Sequence, residues 1–149
     1  MDHDETAVIV WPVLYPLAKD AHCTIMYLGE TKDIVVAPAD IIAAVPSIIP
    51  PLVEVTGFEV FGEDEKVWVA TLNGTYLTPL RDKIVERLER IGLENKSSFP
   101  NYRPHVTLAP YTSDDQEFAV TYFELGRPVL WWEDKSLPST PQRGVDRRG

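Results

Sequence analysis

Two of the chain's three histidines stand in the same short setting, His22-Cys23-Thr24 and His105-Val106-Thr107, 83 positions apart (105 − 22). On a β-strand, residues i and i+2 share a face about 7 Å apart. Each imidazole therefore stands beside its own hydroxyl. Two such pairs suit an anion with two ester oxygens. One histidine takes a proton, the other gives one, and the hydroxyls hold the non-bridging oxygens. Phosphodiester chemistry has those requirements.

The repetition is hard to attribute to chance. Eleven of 149 residues are Thr, so a given His has Thr two places on with a probability of about 7%. Two of three His would share that feature about 1–2% of the time. A single strand histidine bonded to a nearby Thr is commonly a satisfied core residue; two matched copies point to a site.

Composition narrows the partners. A net charge of −9 and the absence of a lysine cluster argue against long-range attraction to duplex nucleic acid, which rests on massed Lys and Arg. A small anionic substrate held locally fits better. A lone cysteine forms no internal disulfide, and Cys23, between the motif residues, reads as a small buried apolar side chain. Three scattered His and one Cys do not supply a zinc site, so neither metal nor cofactor is expected. There is no charged start with an apolar run behind it and no stretch of about 18 apolar residues, so no membrane partner is expected and a cytoplasmic location follows.

The elements that must position these residues alternate along the chain. Thr6 to Leu14 reads as a buried strand, followed by the loop Leu17 to Ala21 that delivers His22. Alternation from His22 sets His22, Thr24 and Met26 on one face and Cys23, Ile25 and Tyr27 on the other. Pro38 to Val45 is a short helix. Leu52 to Gly62, with a bulge or bend at Gly57, and Val67 to Leu72 form a hairpin. The clearest helix carries Leu77, Leu80, Ile84, Leu88 and Ile91, started by Thr75 or Thr78-Pro79 and stopped by Gly92. After the loop Ser97 to Arg103 comes the second motif strand, Pro104 to Tyr111, with Phe118 to Leu125 and Pro128 to Trp132 as further strands. Residues 1–136 form one α+β domain with a two-lobed, duplicated plan, and 137–149 read as a disordered tail.

Secondary candidates surround the motifs. Arg103 and Lys19 are near enough in sequence to add a cation, and Tyr102, Tyr111 and Tyr27 offer π surfaces for a base. Trp11 and Trp68, within alternating apolar runs, read as packing residues.

The chain resembles the 2H phosphoesterase superfamily, whose members carry two His-x-Thr/Ser motifs, and in particular its RNA 2′,5′-ligase-like and 2′,3′-cyclic phosphodiesterase branch. The likeness rests on His22-Cys23-Thr24-Ile25-Met26-Tyr27-Leu28-Gly29-Glu30, on Gly57-Phe58-Glu59-Val60-Phe61 with Val67-Trp68-Val69, and on Arg103-Pro104-His105-Val106-Thr107-Leu108-Ala109. It runs from about Val8 to Trp132. It implies antiparallel sheets side by side, helices outside and both motifs on a central cleft. It also implies metal-independent cleavage of 2′,3′-cyclic phosphate ends, of 2′-5′ linkages, or of cyclic oligonucleotide signals as in phage anti-CBASS members. A module that sequesters such a nucleotide without turnover is the alternative.

Overall fold

In a computed structural model the described residues are 5–16, 20–97, 101–133 and 135–138. Strands are β1 (Thr6–Tyr15), β2 (His22–Glu30), β3 (Val53–Phe61), β4 (Val67–Leu72), β5 (His105–Pro110), β6 (Tyr122–Leu125), β7 (Val129–Trp132) and β8 (Lys135–Pro138), with helices α1 (Pro38–Ala44) and α2 (Gly74–Arg90). All described strand pairs are antiparallel. The strands run β2-β5-β4-β3-β6-β1-β7-β8, and β1 returns to pair with β2, so six of them close a circuit.

That circuit is two lobes with narrow joints. One lobe is β2-β1-β7-β8 and the other β5-β4-β3; they meet where Cys23 pairs with Val106, and β6 ties β3 to β1. The α+β architecture is the expected one. No helix among the described residues is long and apolar enough to cross a membrane.

The core follows the alternation of β1. Ile9 and Trp11 point to one side, where Cys23, Ile25, Ile41, Ile84, Leu88 and Leu125 complete a fully buried cluster. Val10, on the opposite parity, is equally buried but lies outside that cluster, as does Val69 of β4. Both belong to the face that carries the motifs. Trp11 is inaccessible, and Trp68 donates its indole N–H to Gln116 Oε1 at 2.9 Å while packing against Phe118. Both tryptophans are structural.

Helix α2 begins earlier than the Thr-Pro signal implied. Asn73 is the cap, its side chain accepting from Thr75 N–H at 2.9 Å, and Pro79 sits inside the helix, where it removes one backbone donor without ending it. Leu77, Ile84, Val85 and Leu88 form its buried stripe, whereas Ile91 lies beyond the last turn and is 38% exposed. Gly92, at φ +101°, ends the helix by adopting the left-handed conformation that a side chain disfavours.

Three strand expectations change. The sixth strand is Tyr122–Leu125 and not Phe118 onward, because Gln116 folds the preceding segment back onto Thr112 N–H and Trp68. Leu137 and Pro138, expected in the tail, instead pair with Leu130 and Val129 in β8, covering the edge of β7; the rest of the expected tail, residues 139–149, lies outside the described residues.

The third change bears on the site. Against β1, the partner of Val10 is Thr24 but the partner of Ile9 is Met26, so Ile25 is an extra residue in β2. This bulge reverses the alternation. Met26 is buried with the core, and Tyr27 returns to the face of His22 and Thr24, contrary to simple alternation. The second motif strand has the same device. Val69 pairs with Thr107 and Trp68 with Ala109, leaving Leu108 extra in β5. Each motif is therefore His-x-Thr followed directly by a bulge.

Replacing Ile84, which is fully buried, by Ala should destabilise the fold by about 2–4 kcal/mol in urea titration, the usual cost of an unfilled aliphatic site. Tyr111→Phe, which removes only an exposed hydroxyl contact, should cost less than about 1 kcal/mol.

Candidate active site

The β2–β5 seam rests on one backbone pair, Cys23 with Val106. In an antiparallel pair the flanking residues then face one another crosswise, His22 beside Thr107 and Thr24 beside His105. With Cys23 and Val106 turned into the core, all four motif side chains lie on the other face. The floor beneath them is Val10, opposite Thr24, and Val69, opposite Thr107.

The two histidines are held alike. His22 Nδ1 lies 2.8 Å from the Asp20 carbonyl, and His105 Nδ1 lies 2.8 Å from the Arg103 carbonyl, two residues upstream in each case. A carbonyl only accepts, so Nδ1 carries the proton and Nε2 is the nitrogen left for chemistry. Each ring also meets an aromatic edge-on. Trp131 packs against His22 with centroids 4.5 Å apart, and Phe61 against His105 at 4.7 Å. Trp131 pairs with Val8, four residues before the partner of His22; Phe61 pairs with Val67, four before the partner of His105. The two half-sites are related by a pseudo-twofold arrangement.

Electrostatics distinguish the halves. Burial pushes the His105 pKa below the ordinary imidazole value, and the charges of His22 and Arg103 act in the same direction, against the Arg103 carbonyl bond and Glu59. Arg103 donates to Glu59 at 2.7 Å and lies over the Phe61 ring at 4.9 Å. Folding thus favours neutral His105. The stability this contributes is present above the ordinary imidazole value and is lost as pH falls through the folded one.

The other candidates separate. Tyr102 reaches the motif, but as a strut. Its hydroxyl donates to the Thr24 carbonyl at 2.6 Å, and Arg81 covers its ring at 4.5 Å. A base therefore does not stack on that face. Burial raises the pKa of the Tyr102 hydroxyl, so it stays a donor. Tyr27 lies three residues past Thr24, about 10 Å along the strand, with its backbone tied to Lys96 and Ser97. Tyr111 does not belong to the site. It is six residues past His105, about 20 Å away, bonded to Asp114 at 2.6 Å and packed beside Trp68. Lys19 lies outside the described residues. Burial raises the Cys23 thiol to about 11, which keeps it protonated and unreactive at neutral pH.

Phe61, Trp131, Glu59 and Arg81 went unrecognised from sequence. Phe61 and Trp131 look like ordinary strand aromatics until register places them beside the histidines, and Arg81 reaches β2 only through the packing of α2. Among the described residues no three His, Cys, Asp or Glu side chains are grouped as metal ligands.

Residues 13–135 match the 2′-5′ RNA ligase superfamily. No curated protein matches the chain.

In an NMR titration His105 should change charge below pH 6.5, the ordinary imidazole value. Arg103→Gln should move it upward, since the substitution removes a neighbouring cation and frees the Glu59 carboxylate.

Proposed function

The chain belongs to the 2′-5′ RNA ligase superfamily, the 2H phosphoesterases, and on that premise we propose that it is a metal-independent phosphodiesterase acting on cyclic or 2′-5′-linked nucleotides. The observation that carries this reading is the crosswise set of two histidines and two threonines on one face, each imidazole presenting Nε2.

The chemistry follows from the asymmetry of the halves. Neutral His105 accepts the proton of the attacking oxygen at Nε2, and His22 delivers a proton from Nε2 to the leaving ribose oxygen. For a 2′,3′-cyclic phosphate, water attacks phosphorus, one P–O bond forms and one ester bond breaks, and the product is a ribose phosphomonoester with a free neighbouring hydroxyl. Thr24 and Thr107 donate to the non-bridging oxygens as negative charge develops there. The hydrophobic floor of Val10 and Val69 and the aromatic flanks keep the local dielectric low, which strengthens those bonds.

Turnover of 2′,3′-cyclic mononucleotides, 2′-5′ dinucleotides and cyclic di- and trinucleotides in the presence of a chelator tests this directly. At least one class should be cleaved, and His22→Ala and His105→Ala should each reduce kcat by about 10²–10⁴-fold. Thr24→Val and Thr107→Val should cost about 10²-fold each. Binding without turnover in the wild type would favour sequestration over catalysis.

A neutral His105 as base also sets the pH profile. The acid limb of kcat/KM should lie below 6.5 and move up in Arg103→Gln, in the same direction as the NMR titration.

A further inference from the structure

Beside the motif face, Thr24 and His105 also line a recess of about 60 Å³, completed by Arg81, Ser97, Tyr102 and Arg103 among the described residues. One water needs about 10–15 Å³ of such space. The recess therefore has room for a small group such as a tetrahedral oxyanion.

Fixed donors stand among its largely apolar walls. The Arg81 side chain is only 14% exposed, with Nε donating to the carbonyl of the bulge residue Ile25 at 3.3 Å and one Nη donating to Asp82 at 3.2 Å. A guanidinium has five N–H donors, so further donors remain after those two bonds. Its guanidinium carbon lies 4.5 Å from the centre of the Tyr102 ring. Ser97 Oγ accepts from Tyr27 N–H, which leaves its own O–H to donate. Arg103 is the second cation of the lining. The carboxylates nearest these cations are well exposed, Asp82 at 60% and Glu59 at 48%, so water screens them more than it screens Arg81. A guanidinium already fixed by packing gives up little freedom when an anion arrives.

We propose that this recess is a subsite for a second phosphoryl group, so that the preferred substrate carries two phosphoryl groups on one ribose: the scissile one at the histidines and a second at Arg81. This rests on the phosphodiesterase reading. It makes a nucleotide with a 5′-phosphate, or one with an upstream internucleotide phosphate, a better substrate than a cyclic mononucleotide with a free 5′-hydroxyl.

The matched probes are adenosine 2′,3′-cyclic phosphate with and without a 5′-phosphate. The wild type should favour the 5′-phosphorylated form by about ten- to hundredfold in kcat/KM, expressed mainly in KM, the usual effect of a charge-assisted hydrogen bond. In Arg81→Gln that ratio should fall toward one, and Arg81→Lys should keep part of it. Equal losses on both probes in Arg81→Gln would overturn the subsite and make Arg81 a clamp on the Ile25 bulge. A wild type indifferent to the 5′-phosphate would overturn it as well. If neither probe is turned over, calorimetry on the same pair separates the two readings. Tighter binding of the phosphorylated probe, lost in Arg81→Gln, supports the subsite and leaves hydrolysis to be judged on the 2′-5′-linked and cyclic oligonucleotide classes, while equal binding sinks the subsite.

Discussion

Everything at the site depends on one backbone pair. Cys23 and Val106 bridge β2 to β5, and that register alone decides that each histidine faces the other motif's threonine. A slip of one residue would turn the motif side chains of one strand into the core and its apolar partners outward. The register is secured by what the bridging residues do with their side chains. Both are inaccessible, so the seam is fastened by the core and by the Tyr102 hydroxyl, which donates to the Thr24 carbonyl and lies 3.6 Å from Cys23 Sγ.

The duplication extends past the motifs into the irregularities of the strands. Ile25 and Leu108 are both extra residues placed directly after the motif threonine. A bulge adds local twist and re-aims the side chains beyond it. Here it lets the strand return its apolar residues to the core while His and Thr stay on the open face. The aromatic edges at Trp131 and Phe61 repeat as well, with the same offset from their histidines. Among the described residues the halves diverge in charge, the His105 side carrying the Arg103–Glu59 pair. A pseudo-symmetric frame thus carries an asymmetric charge environment.

Much of this was legible from residue order. The His-x-Thr spacing named the four central residues because a period of two needs no tertiary information, and the apolar stripe of α2 and the hairpin of β3 and β4 were readable for similar reasons. In β3 the irregularity lies beside Gly57, with Thr56 the extra residue between the Val55–Leu72 and Gly57–Thr71 pairs, and the glycine made it legible; the bulges at Ile25 and Leu108 were not, because neither residue signals an irregularity. That is why Met26 and Tyr27 changed faces. Tyr111 is close to a motif in sequence, but six residues become about 20 Å along an extended strand. Arg81 could not be found at all. It lies 56 residues beyond Ile25 (81 − 25) and reaches β2 only by helix packing.

The histidines are oriented by carbonyls and not by carboxylates, which has an evolutionary consequence. In a triad the orienting group is a side chain, and a single substitution removes it. Here every amino acid at position 103 supplies the same carbonyl to His105, so that position is free to drift in side chain while the tautomer is inherited unchanged. Position 20 has less latitude, since its φ of +61° restricts it in practice to Asp, Asn or Gly. Side chains can therefore change beside His105 by single substitutions that leave the imidazole in place, whereas position 20 beside His22 is confined by its backbone conformation.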